Sequence, residues 1–110
     1  MKEEYSDYLN DIIKSMELSQ EFIINQTLHT FKEDNKTQFA VIRCLEVIGE
    51  ATKRLPEELR AANPKIPWRS MAGMRDRLIH GYDVVDSEIV WITVTKTIPE
   101  LIDKIKEIEL

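Results

Sequence analysis

The sequence is short of the residues on which many fold and site types depend. A single cysteine, Cys44, has no partner for an internal disulfide or a structural zinc site, and fits a reducing compartment. Three glycines and four prolines are too few for the many turns of a sandwich or barrel. No apolar run approaches the ~18 uninterrupted residues of a membrane span. The acidic start, Met1-Lys2-Glu3-Glu4-Tyr5, leads into no apolar stretch, so neither a signal peptide nor a membrane segment is expected. Phosphate-cradling G-x-x-x-x-G-K and dinucleotide G-x-G-x-x-G runs are missing. The two histidines, His29 and His80, follow Gln26 and Arg77 by three residues, not the glutamate that a carboxylate-bridged di-metal bundle requires. No Ser-His-Asp arrangement is legible.

What is present is a chain of 110 residues, 43% hydrophobic and 32% charged, enough for one domain with a core. We expect a single domain over residues 1–110, soluble and cytoplasmic. The net charge of −5 argues at first against a nucleic-acid partner. Its distribution changes that. Residues 1–34 carry three basic and eight acidic side chains, the whole of the −5, while the remaining 76 balance at twelve of each sign. Within them, the window from Lys53 to Arg77 sets seven basic residues (Lys53, Arg54, Arg60, Lys65, Arg69, Arg75, Arg77) against Glu57, Glu58 and Asp76. That +4 window describes either a solvated face of mixed charge or a local anion-binding surface. Charge alone does not choose.

Apolar periodicity predicts an all-α fold, an antiparallel bundle of four main helices plus a short one. The first helix is expected from about Tyr5 to Phe31, with its acidic residues outward. Asn35 is the expected N-cap of a second, with Gln38 completing a capping box. That helix runs from about Lys36 to Leu55 and should bury Phe39, Val41, Ile42, Leu45, Ile48 and Leu55. Gly49 lies inside it at a cost of up to ~1 kcal/mol relative to Ala, which points to close approach of another helix. Pro56 ends it, and Glu57 to Ala62 has room for a short helix. Pro67 suits the first position of a third main helix, expected to run through Ile79 and stop at Gly81. Asp86 or Ser87 should cap the last helix, which Pro99 should kink.

Chemistry concentrates in Met74-Arg75-Asp76-Arg77-Leu78-Ile79-His80-Gly81-Tyr82-Asp83. His80 can give and take protons near neutrality. Arg75 and Arg77 offer permanent charge on forked donors suited to phosphate. Asp76, four residues before His80 on one face of the expected helix, would orient the imidazole or raise its pKa. Arg75 and His80 would meet either around a helix end or across a dimer. A proton acceptor, a proton donor and charge stabilisation on a pentacoordinate phosphate are what RNA cleavage by 2′-hydroxyl attack needs, with no metal required. Taken separately, the same residues also describe a surface ion-pair cluster, a capping histidine and a packed tyrosine.

The run Gly73-Met74-Arg75-Asp76-Arg77-Leu78-Ile79-His80-Gly81-Tyr82, followed by Val85-Asp86 and Trp91, resembles the signature of HEPN-domain ribonuclease toxins of the HepT type. The resemblance extends upstream to Ile48-Gly49-Glu50-Ala51, Lys53-Arg54-Leu55-Pro56 and Ile66-Pro67-Trp68, about half the chain in matching order. It implies an all-α homodimer whose two Arg–His motifs line one cleft. It also implies metal-independent RNA cleavage, with Arg75 and His80 as the catalytic pair and Asp76 in support. No metal ligand and no cofactor is implied. The implied partner is a minimal nucleotidyltransferase antitoxin of a type II/VII-like pair, which uses ATP to attach AMP to Tyr82. Further assembly into a larger hetero-oligomer is left open. Nucleotide phosphates two residues from His80 would put bulk and negative charge where the RNA phosphate must sit. Arg77, Arg69, Lys53 and Arg54 are candidates for RNA contact. Glu50 is either part of the site or part of a packing arrangement. The alternative from another class is a non-catalytic HEPN module that binds a nucleotide or the nucleotidyltransferase. A third is a dimerisation bundle carrying the motif by chance.

Overall fold

Apolar residues at helical spacing fold the chain around three long helical runs, with shorter helices and one small ladder between them. The computed structural model describes residues 2–76, 78–80 and 84–108, with the side chains of 2–4, 79, 80 and 84 left aside. The elements are α1 (Lys2–Phe22), α2 (Leu28–Lys32), α3 (Asn35–Lys53), α4 (Glu57–Ala62) and α5 (Trp68–Ala72). There follow β1 (Ile79–His80), β2 (Val84–Val85), α6 (Ser87–Ile92), a π-helical turn (Thr93–Thr97) and α7 (Ile98–Lys106). The all-α expectation holds. Three of the expected element boundaries do not, and each has a local cause.

The first helix ends at Phe22 instead of continuing to Phe31. Asn25 takes a left-handed backbone (φ 66°) and reverses the chain, and Thr27 then caps α2 through a reciprocal box with Thr30. This places Phe31 fully inside the core, its ring 5.4 Å from that of Trp91. The cap of α3 is Asp34, not Asn35. Its carboxylate accepts from the Thr37 backbone N–H at 3.0 Å and from the Thr37 hydroxyl at 2.6 Å. Those hydrogen bonds hold the Asp34 carboxyl below its ordinary pKa. Gln38 donates instead to the carbonyls of Phe31 and Lys32, closing the end of α2.

α3 buries Val41, Ile42, Leu45 and Ile48 as expected, against α1 above all. Phe39 is 71% exposed, contrary to expectation. At ~100° per residue it lies about 160° from Val41, on the opposite side of the helix. Leu55 is buried just past the helix end.

The third helix is five residues long rather than running to Ile79. After Ala72 the chain continues in three-residue turns: the N–H groups of Met74, Asp76 and Leu78 donate to the carbonyls of Met71, Gly73 and Arg75. Ile79 then pairs with Val85 and His80 with Val84 in an antiparallel ladder. β-Branched residues on both sides favour that pairing, and Gly73 weakens helix continuation. Asp86 caps the last helical run, accepting from the Ile89 N–H at 3.1 Å. The disturbance expected from Pro99 takes the form of the π-helical turn. Proline has no N–H for the carbonyl four residues back, and the helix widens before it. The hydroxyls of Thr93 and Thr95 donate to the carbonyls of Ile89 and Trp91, each at 2.8 Å. Among the described residues no helix is long and apolar enough to cross a membrane.

Candidate active site

Gly49 brings α3 and α5 together. A Cβ on Gly49 would stand 3.0 Å from the Ala72 carbonyl oxygen, a backbone atom with little room to retreat. The close approach inferred from a mid-helix glycine is therefore real, and its partner is the end of α5. Glu46, Gly49, Glu50 and Lys53 follow one another at helical spacing along one side of α3. With Ala72, Arg75 and Asp76 they line a depression of about 300 Å³.

Arg75 stands in the turn after α5, its side chain 48% exposed. Its Nε lies 3.7 Å from Glu46 Oε1 and its Nη1 3.9 Å from Asp76 Oδ1. Glu46 also lies 3.6 Å from Arg43 Nη1, and Glu50 pairs with Lys53 at 3.3 Å. At this exposure each pair contributes under ~1 kcal/mol to stability. Their consequence is orientation. At 3.7 and 3.9 Å these are ion pairs longer than hydrogen bonds, so they steer the guanidinium without consuming the forked N–H donors that suit a phosphate.

The structure brings together Arg75, Asp76, Lys53 and Glu50 of the sequence-predicted residues. Glu50 belongs to this depression rather than to buried packing, since its side chain is 66% exposed. Asp76 does not share a helical face with His80, because the helix ends at Ala72; its carboxylate sits beside Arg75. Arg54 lines a neighbouring depression with Tyr8, Asp11 and Arg43. Arg69 lines another, across Ala72. The backbone of His80 is paired in β1, and its side chain, with Arg77 and Tyr82, lies outside the described residues. Glu46 is the site residue that sequence reasoning missed. The signal was available: it precedes Gly49 by three and Glu50 by four, on the flank of α3 beside the apolar positions, one turn after Ile42.

Cys44 is buried, and burial raises its thiol pKa, which makes it a core residue and not a nucleophile. Among the described residues no group of three or more His, Cys, Asp or Glu side chains is placed to hold a metal ion.

Comparison with known proteins places this geometry in context. A family model described as "Ribonuclease HepT-like" matches residues 12–108. The chain is 48% identical to "Probable ribonuclease HepT" of Thermococcus cleftensis, over 98% of both chains. It is 44% identical to "Putative RNase MJ0127" of Methanocaldococcus jannaschii, over 97% of this chain and 88% of that one. A further relative, "Putative RNase TTE0752" of Caldanaerobacter subterraneus subsp. tengcongensis, is 44% identical over 92% of this chain and 90% of that one. No solved structure matches.

Proposed function

The chain belongs to the ribonuclease HepT-like family, and from that premise we propose that it is an RNA endonuclease that works without a metal at an Arg75–His80 cleft. The observation that carries this reading is Arg75, half-exposed and held in the α3–α5 depression by Glu46. The 2′-hydroxyl of the substrate gives up its proton to His80 as the 2′-oxygen attacks the adjacent phosphorus. The bond from phosphorus to the 5′-oxygen breaks, and that oxygen takes a proton from water, leaving a cyclic phosphate and a free 5′-hydroxyl. Arg75 stabilises the charge that builds on the equatorial oxygens between those two events. In a homodimer the two copies of the motif share one cleft.

The same reading makes the protein the toxin of a pair with a minimal nucleotidyltransferase antitoxin. That partner silences it by transferring AMP from ATP to the Tyr82 hydroxyl, with pyrophosphate as the leaving group. Added phosphate next to His80 repels the RNA phosphate and occupies its place. Mass spectrometry after incubation with the partner and ATP is expected to find AMP on Tyr82, and Tyr82→Phe to remain unmodified.

The primary test is cleavage of RNA by the purified protein in EDTA. His80→Ala is expected to lose cleavage by at least about 100-fold while keeping its circular dichroism spectrum. Undiminished cleavage by that variant overturns the assignment of His80. A protein that binds the nucleotidyltransferase tightly, leaves RNA intact and is harmless on expression is the non-catalytic module instead.

A further inference from the structure

A second depression lies on the other side of Ala72, of about 470 Å³, lined by Glu57, Arg60 and Ala61 of α4 and by Trp68, Arg69 and Ala72 of α5. Its frame is fixed. The buried Trp68 donates its indole N–H to the carbonyls of Arg60 and Asn63, at 3.1 and 3.0 Å, which ties α4 to the start of α5. α5 in turn is set against α3 at Gly49. Two arginines line this space, yet the ion pairs among the described residues involve neither of them. The Nε of Arg60 is shut off from solvent with no hydrogen-bond acceptor. The depression thus carries two permanent positive charges, and among the described residues that line it Glu57 is the one carboxylate. An anion seated in the depression would meet the terminal guanidinium N–H groups, which none of these ion pairs holds.

Position decides which anion. Ala72 is a wall of both depressions, so this one adjoins the space beneath Arg75. A polyanion whose reacting group sits at Arg75 and whose chain crosses Ala72 would carry further charged groups to Arg60 and Arg69. We propose that the Arg60–Arg69 depression is a second phosphate subsite, holding the RNA backbone next to the phosphate that is cut. The proposal rests on the ribonuclease reading for its ligand and adds the course of the strand, from Arg75 over Ala72 toward α4. Recognition there is of backbone and not of base, because the aromatic residue lining the depression, Trp68, is only 8% exposed, too little for a base to stack on.

The test places Arg60→Gln/Arg69→Gln in the His80→Ala protein, so that RNA stays intact, and titrates fluorescein-labelled single-stranded oligouridylate and oligoadenylate at several salt concentrations. Affinity is expected to fall at least about tenfold at low salt. The slope of log K against log salt should flatten by about 0.7 for each phosphate that is no longer neutralised, equally for both sequences. Lys32→Gln/Lys36→Gln removes the same charge near the other end of α3 and should change both quantities far less. If the double arginine variant does not fold, Arg69→Gln alone, on an exposed position of α5, carries the measurement with half the expected change in slope. Unchanged affinity and slope in a folded variant overturn the subsite and give the depression to an acidic protein partner. An equal loss in the lysine control overturns it too, because net charge then explains the effect. If wild type cuts RNA while the arginines leave its binding untouched, the ribonuclease reading stands and the subsite falls. If wild type neither binds nor cuts RNA, both fall.

Discussion

Along α3, Val41, Leu45, Ile48 and Thr52 are buried, whereas Glu46, Glu50 and Lys53 line the depression beneath Arg75. The first group is held by removal of apolar surface from water, to which each side chain contributes a few kcal/mol. Its one polar member, Thr52, is satisfied by donating to the Ile48 carbonyl at 2.7 Å. The second group is held by exposed ion pairs of little energetic weight, and it orients a guanidinium. Gly49 lies between the two and belongs to both, because the missing side chain lets α5 close and thereby sets where Arg75 stands. One helix therefore carries the core on one side and the candidate site on its flank. The two should respond to mutation independently except at the glycine.

Ile48→Ala presses on the buried side and has the largest expected effect on stability, a loss of about 2–5 kcal/mol in urea unfolding. Cleavage per folded molecule should stay near wild type; a large loss would show that the two sides are coupled through the helix itself. Gly49→Val should cost about 1–3 kcal/mol by overpacking. It is also the substitution expected to reduce cleavage in the folded fraction, since α5 and the turn bearing Arg75 must move. Retention of full activity would place the site elsewhere. Glu46→Ala should change stability by less than about 1 kcal/mol while slowing cleavage about tenfold or more through misplacement of Arg75. Glu46→Gln, which keeps the length and an acceptor oxygen, should recover part of that rate. A stability loss as large as that of Ile48→Ala would make Glu46 a core residue and break the distinction.

Much of this was legible in the sequence because it depends on local spacing. Apolar steps of three and four place α1, α3 and the last helical run, Pro56 bounds α3, and Asp86 caps as its type and position require. Gly49 announced a close contact without naming the partner. Other elements were decided by competition between local options. Asn35 and Asp34 are both good capping residues, and the hydroxyl of Thr37 tips the choice to Asp34. Phe39 reads as a core residue by type but falls on the outer side of α3 once the helix has its true phase. The segment after Ala72 reads as helix by composition, yet Ile79 and His80 find strand partners in Val85 and Val84. That pairing carries away the helical face on which Asp76 and His80 were expected to meet.

The all-α class, the concentration of positive charge between Lys53 and Arg77, and the run of residues proposed for the chemistry all follow from residue type and spacing along the chain. They were settled before any helix met another. That Glu46 is the residue beside Arg75, and that Arg60 joins Arg69 on the far side of Ala72, were settled by the packing. Those pairings depend on how closely α5 sits against α3 and how α4 is tied to α5. Such distances are set between elements remote in the chain, which no local pattern encodes.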